Sequence, residues 1–212
     1  MTHTSETYNV DCMELMAQYP DKYFDLAVVD PPYGIGIIKT ELGNYGIRPK
    51  NFTGSMDKSC GWDFERPSKE YFIELDRIAK NYIVWGGNYF MDLIQKASSC
   101  WLVWDKKNGA SYWADSELAF TTFKTATRLF SNTSVKNNRI HPTQKPVALY
   151  DWIFKNYAQE GQKILDTHLG SGSSRIAAWK AKLNFVGCEL DTDYFGAQEK
   201  RFAEFRKQLT MF

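Results

Sequence analysis

Three short segments carry residue types whose spacing suits chemistry. The first is Asp30-Pro31-Pro32-Tyr33. Its two prolines stiffen the backbone and remove two amide donors, which leaves nearby carbonyls free to face a ligand. A carboxylate beside such a carbonyl is an acceptor pair suited to an exocyclic amine, and Tyr33 offers a flat face for stacking a base. A Pro-Pro turn closed by an ordinary aromatic is the alternative. The second is Asp166-Thr-His168-Leu-Gly170-Ser171-Gly172, where an apolar run enters a glycine-rich turn. Such a turn lets the backbone approach a ligand and aims helix N-terminal amides at it. Nineteen residues after Gly170, another apolar run ends on Glu189, placed to accept both hydroxyls of a ribose. Together they point to a nucleoside-bearing cofactor; glycines placed for packing alone are the alternative. Arg175 occupies the place of the third glycine of the dinucleotide fingerprint. That argues against NAD and leaves room for a cofactor without phosphate. The third is His141-Pro-Thr143-Gln144-Lys145-Pro146. Thr143, Gln144 and Lys145 could hold the carboxylate end of a ligand, or the segment could simply cap a helix.

These segments need elements to position them. Phe24–Asp30 is a nearly continuous apolar run, a buried strand stopped by the prolines. Gly34–Arg66 is rich in Gly, Asn, Lys and Ser and reads as a long, mobile loop. Ser68–Lys80 has Tyr71, Phe72, Leu75, Ile78 and Ala79 on one helical face. Strands are predicted at Asn81–Trp85, Cys100–Trp104 and Leu118–Phe123. Thr125–Arg139 is polar and basic without a period. A helix follows over Pro146–Tyr157, with Gly161 just past its end. Lys163–Asp166 (strand), Ser173–Lys182 (helix), Asn184–Glu189 (strand) and a last helix from about Tyr194 complete the chain. In that last helix Phe195, Phe202, Phe205 and Leu209 read as core. Alternating strands and helices predict an α/β architecture with a mainly parallel twisted sheet and helices on both faces.

Composition narrows the classes. The 212 residues include 26 basic and 25 acidic side chains, for a formal net charge of +1. This length suits one domain over 1–212. Apolar residues at 43% and charged residues at 24% are ordinary for a globular chain and exclude a disordered or fibrous one. The charge balance excludes binding of polyanions by bulk charge but allows a local patch. The polar N-terminus shows no signal peptide and no apolar run reaches the length of a membrane span, so no membrane partner is expected. Cys12, Cys60, Cys100 and Cys188 never form Cys-x-x-Cys, so a reducing cytoplasm is the expected location. His3, His141 and His168 lack metal-ligand spacing, and no metal is expected.

Jointly the segments resemble the amino-group DNA methyltransferases, which use S-adenosylmethionine to methylate adenine N6 or cytosine N4. Asp30-Pro31-Pro32-Tyr33 matches the family's catalytic motif, and Asp166–Gly172 resembles its Asp-Pro-Phe-x-Gly-Ser-Gly cofactor loop. Catalytic motif first, His141–Pro146 next and cofactor loop last is the circularly permuted order of the family's β group. Asn9-Val-Asp11-Cys12 resembles the short segment that flanks the cofactor's adenine, and Trp85-Gly-Gly-Asn88 also fits. The resemblance implies a Rossmann-like fold. It implies that Asp11, Cys12, Asp30, Asp166, His168, Gly170, Ser171 and Gly172 line the cofactor. Glu189 would hold its ribose, and Thr143, Gln144 and Lys145 would sit at its carboxylate. Thr167-His168 replaces the family's usual Pro-Phe.

The implied partner is double-stranded DNA with a flipped-out base. Between Leu118 and Tyr150 five basic residues meet no acidic one. Of these, Lys124, Arg128, Lys136 and Arg139 are the expected phosphate contacts, with a salt slope of about −3.6. They fall in a small target-recognition insertion over about 124–140. Little chain remains for a separate recognition domain, so a short DNA site or a second subunit in a homodimer is expected. Asp at position 30 favours adenine N6, since cytosine-N4 members more often have Ser there. Cytosine N4, adenine in RNA, and an inactive cofactor-binding module stay open as alternatives.

Overall fold

The computed structural model describes residues 3–35, 65–109, 114–135 and 139–209. Most of the expected loop Gly34–Arg66, and Lys136, lie outside the described residues.

Eight strands form one sheet. In chain order the elements are β1 (Ser5–Tyr8), α1 (Cys12–Met16), β2 (Phe24–Val29), α2 (Lys69–Ile78), β3 (Ala79–Trp85), α3 (Met91–Ile94), β4 (Trp101–Asp105), β5 (Ser116–Thr121), β6 (Arg128–Ser131), α4 (Val147–Tyr157), β7 (Lys163–Asp166), α5 (Ser173–Lys180), β8 (Asn184–Cys188) and α6 (Thr192–Leu209). The strand order is β1-β8-β7-β2-β3-β5-β4-β6. Every pairing is parallel except the two made by β5.

The central strands are apolar over most of their length because both faces are covered there. On one face Leu26, Val28, Ile83 and Trp85 pack with Leu149, Ile153 and Phe154 of α4 and Ala177 and Ala178 of α5. On the other, Ala27, Val29, Tyr82 and Val84 pack with Leu15 and Met16 of α1 and Tyr71, Phe72, Leu75 and Ile78 of α2. The expected layered α/β architecture with helices on both faces is therefore present.

Several boundaries differ from the sequence reading. The helix expected over Ser68–Lys80 gives way at Ala79 to β3, where Phe24 pairs with Ala79. The stretch Thr125–Arg139, in which no element was expected, contains β6, which pairs with β4 from Leu102↔Arg128 to Asp105↔Ser131. So part of the presumed recognition insertion belongs to the central sheet. Of the α6 phenylalanines expected in the core, Phe202 is buried, at 5% exposure, while Phe195 and Phe205 are half-buried. The helix lies at the margin of the fold, where one face meets Trp179 and Arg175. Among the described residues, no helix is long and apolar enough to cross a membrane.

The topology makes a crevice. From β2 the chain continues to β3 on one side, and from β7 it continues to β8 on the other, while β2 and β7 are paired neighbours. In open α/β sheets such a switch point leaves a cleft at the carboxyl ends of the strands. Asp30, Gly86, Thr167 and Glu189 follow the ends of β2, β3, β7 and β8 there. The antiparallel β5 brings its first residues, Ser116 and Glu117, to the same edge.

Candidate active site

A cavity of about 580 Å³ opens at this edge. It is lined from the expected segments by Asp11, Cys12, Asp30, Pro31, Pro32, Tyr33, Thr143, Gln144, Lys145, His168, Gly170, Ser171 and Glu189. Three segments far apart in sequence thus meet at one site. Two predicted cofactor residues do not line it. Asp166 is buried behind the turn, where it accepts hydrogen bonds from Ser174 Oγ (2.5 Å) and the His168 amide (3.0 Å). Gly172 sits at the start of α5 with φ +68°, packed against Gln198. Both shape the turn rather than face a ligand.

At the β2 end, each oxygen of the Asp30 carboxylate has one protein partner, which leaves lone pairs on both for a further donor. Tyr33 donates its hydroxyl to Asp30 Oδ1 at 2.8 Å. The Lys145 ammonium lies 2.5 Å from Asp30 Oδ2, 3.1 Å from Glu117 Oε2 and 3.3 Å from the Tyr33 hydroxyl oxygen. Burial pushes Asp30 upward and Lys145 opposes it; the net direction is up. Lys145 lines the cavity as expected from its segment, and its ammonium, with 3% side-chain exposure, is held on two protein carboxylates. Gln144 is also committed locally, since its Oε1 accepts the Ile140 amide. Thr143 pairs with His141 Nδ1 at 3.1 Å. Tyr33 stacks on Tyr89, with ring centroids 5.0 Å apart.

At the other end, Glu189 accepts the Gly170 amide through Oε2 (2.8 Å) and the Asp191 amide through Oε1 (3.0 Å). Carboxylate oxygens hold more lone pairs than these bonds use, so Glu189 can still accept hydroxyls. Thr167 and His168 form an internal chain: Tyr71 hydroxyl to Thr167 Oγ1 at 2.7 Å, then His168 Nδ1 at 2.9 Å. Burial lowers His168 to about 4, so the ring is neutral near pH 7. Burial likewise raises the Cys12 thiol to about 12, which leaves no thiolate at the site.

Sequence reasoning missed several lining residues, among them Glu117, Leu190 and Tyr194. Tyr194 packs against His141, which in turn lies over Gly170. Glu117 carried no local signal, because only the antiparallel course of β5 brings it here.

The expected phosphate contacts do not form one face. Arg139 is exposed and donates to the Pro142 carbonyl (2.9 Å), on the loop that lines the cavity. Lys124 follows the end of β5 and Arg128 opens β6. Given their strand directions, both emerge at the edge of the sheet opposite the cavity. Lys136 lies outside the described residues.

The lining tests the cofactor. Five carboxylates (Asp11, Asp30, Glu117, Glu189, Asp191) stand against two lysines, Lys106 and Lys145, both already paired with Asp30 or Glu117. Such a site repels a diphosphate and suits a nucleoside cofactor that carries a cation. Among the described residues, no cluster of three or more His, Cys, Asp or Glu could hold a metal ion.

A Rossmann-like sheet with an acceptor-rich crevice at its switch point is the architecture of a nucleoside-cofactor-binding protein. The sequence profile of the DNA methylase family, of the N6/N4 type, matches residues 91–200, slightly over half of the chain, and the chain belongs to that family. YubD of Escherichia coli (strain K12) is 24% identical over 219 residues, covering 94% of this chain and 90% of YubD. The solved M1.HpyAVI–SAM complex superposes with a TM-score of 0.62 at 18% identity, covering 93% of this chain and 98% of that one. PvuII DNA methyltransferase, described as cytosine-N4-specific, gives 0.63 at 13% identity, covering 95% and 87%. At these identities the two structures establish a shared fold.

Proposed function

We propose that the chain transfers a methyl group from S-adenosylmethionine to the exocyclic N6 of adenine, in a base flipped out of double-stranded DNA. The observation that carries this reading is the anionic acceptor Asp30, at the cleft end of β2, in one cavity with Gly170 and Glu189. When bound, S-adenosylmethionine supplies an electrophilic methyl group on a sulfonium. Glu189 accepts the ribose hydroxyls, Gly170 and Ser171 face the cofactor, and Asp11 and Cys12 lie beside its adenine.

The amine lone pair of adenine is delocalised into the ring and is a poor nucleophile. Asp30 and a carbonyl near Pro31 accept its two N–H bonds, which favours a tetrahedral nitrogen with its lone pair directed out of the ring plane. Positioning and electrostatics then do most of the work. The raised Cys12 thiol fits direct transfer without a covalent enzyme intermediate. Flipping costs a few kcal/mol, and stacking on the Tyr33–Tyr89 wall returns about 1–3 kcal/mol.

Incubation with labelled S-adenosylmethionine and unmethylated DNA, followed by digestion to nucleosides, tests this. Label in 6-methyladenine supports the reading. Label in 4-methylcytosine replaces it with the second reading, which the shared fold with PvuII methyltransferase keeps open. Cofactor binding without label in any base identifies an inactive module.

A further inference from the structure

Glu117 has no part in the reading above, although it lines the same cavity as Asp30. Its Oε2 is 3.1 Å from Lys145 Nζ, and its Oε1 is 2.5 Å from Lys106 Nζ. Lys145 is in turn 2.5 Å from Asp30 Oδ2. The four side chains form a row of alternating charge, Asp30, Lys145, Glu117, Lys106, running from the acceptor toward the rim, where Lys106 is 15% exposed.

We propose that Glu117 is a positioning residue that holds Lys145 on a second carboxylate, so that Asp30 keeps an acceptor charge for the target amine. The inference rests on the reading of Asp30 as the amine acceptor. Alone with Lys145, Asp30 would be half of a neutral pair. An ammonium so close would oppose the positive charge that the amine nitrogen acquires on methylation. An ammonium has three donors and can serve two carboxylates at once. Shared in this way, Asp30, Lys145 and Glu117 together are net negative; the balancing charge of Lys106 sits beyond Glu117 toward the rim, so the nearer negative excess weighs more on the transition state in a water-poor cavity. Lys145 also reaches the Tyr33 hydroxyl that binds Asp30 Oδ1, so the placement of its ammonium bears on both Asp30 oxygens.

The test compares wild type with Glu117→Gln, which keeps the shape and removes the charge. The titratable groups bearing on Asp30 are Tyr33, Lys145, Glu117, Tyr150 and Asp166, and Lys106 acts through Glu117. We expect kcat for methyl transfer to DNA to fall about 10- to 100-fold, with KM for DNA little changed. The acid limb of the kcat–pH profile should move to lower pH, because Asp30 loses a neighbouring negative charge. S-adenosylmethionine binding by calorimetry should stay at the wild-type value, and the chain should still unfold cooperatively, at a lowered midpoint because Lys145 and Lys106 lose a carboxylate. Lys106→Met removes a positive charge and should move the acid limb the other way, and Glu117→Asp should recover part of kcat. Wild-type kcat with an unmoved limb in Glu117→Gln overturns the inference. Loss of cofactor binding and of cooperative unfolding in both Glu117 variants overturns it too, by making Glu117 structural only. A wild-type chain that labels no base removes the parent reading and this inference with it. Labelling of adenine at equal rates by wild type and Glu117→Gln removes this inference alone.

Discussion

A Cβ built on Gly86 would stand 2.2 Å from Cε1 of Tyr33. Gly86 closes β3 with φ +68°, and its amide donates to the Leu118 carbonyl of β5. The left-handed turn therefore serves two purposes. It admits the Tyr33 ring, and it joins the β3 end to the strand that carries Glu117. Gly86→Ala is expected to cost about 1–3 kcal/mol for the left-handed backbone, and to displace the Tyr33 ring. Urea unfolding should register the loss. Methyl transfer should fall further than cofactor binding, because the proposed ribose contact is at Glu189, at the other end of the cavity.

Asp30→Ala should lower kcat by at least about 10²–10³-fold while cofactor affinity holds within a few-fold, since Asp30 is the proposed acceptor of the target amine. It also leaves Lys145 with Glu117 as its remaining carboxylate, so some loss of stability is expected. Calorimetric titration with S-adenosylmethionine beside a single-turnover assay separates the two effects. An active Asp30→Ala variant would contradict the assignment.

The two buried histidines should make stability fall on acidification below about pH 6.5. Burial lowers His141 and His168 from 6.5 to about 4, so the unfolded chain takes up two protons in that window that the folded chain does not. Asp166 acts in the opposite sense. Burial raises it from 3.8 to about 7, so over the same range the folded chain holds a proton that the unfolded chain has lost. Asp30 and Glu189, also raised by burial, act with Asp166, so the histidine contribution is isolated by removing one histidine. His168→Phe removes one histidine, so the loss between pH 6 and pH 4.5 should become shallower by about 1 kcal/mol per pH unit. Urea midpoints at the two pH values measure this.

Of the basic residues between Leu118 and Tyr150, Arg139 is the exposed one on the loop that lines the cavity. If it meets a phosphate, Arg139→Ala should reduce the salt slope of DNA binding by about 0.9. Lys124→Ala and Arg128→Ala should leave the slope unchanged, because both lie at the far edge of the sheet. Binding isotherms between 50 and 200 mM salt, the range over which counterion release is commonly read, distinguish them.

The sequence by itself determined the strands that end on chemistry. Lys163–Asp166 has its predicted bounds, and the runs before Asp30 and Glu189 end within one residue of prediction. Strands buried on both faces must be apolar throughout, and prolines or glycines must follow where the chain turns. These are local demands, written in consecutive residues. The partners of Lys145, the place of Glu117 in the cleft and the far-edge position of Lys124 and Arg128 were settled only by tertiary structure. Each depends on β5 running antiparallel between β3 and β4 and on β6 joining the edge. Strand order arises from pairings between distant segments, and no local pattern records which ends come together. A lysine's charge is legible in sequence; the carboxylates that hold it are chosen by the fold.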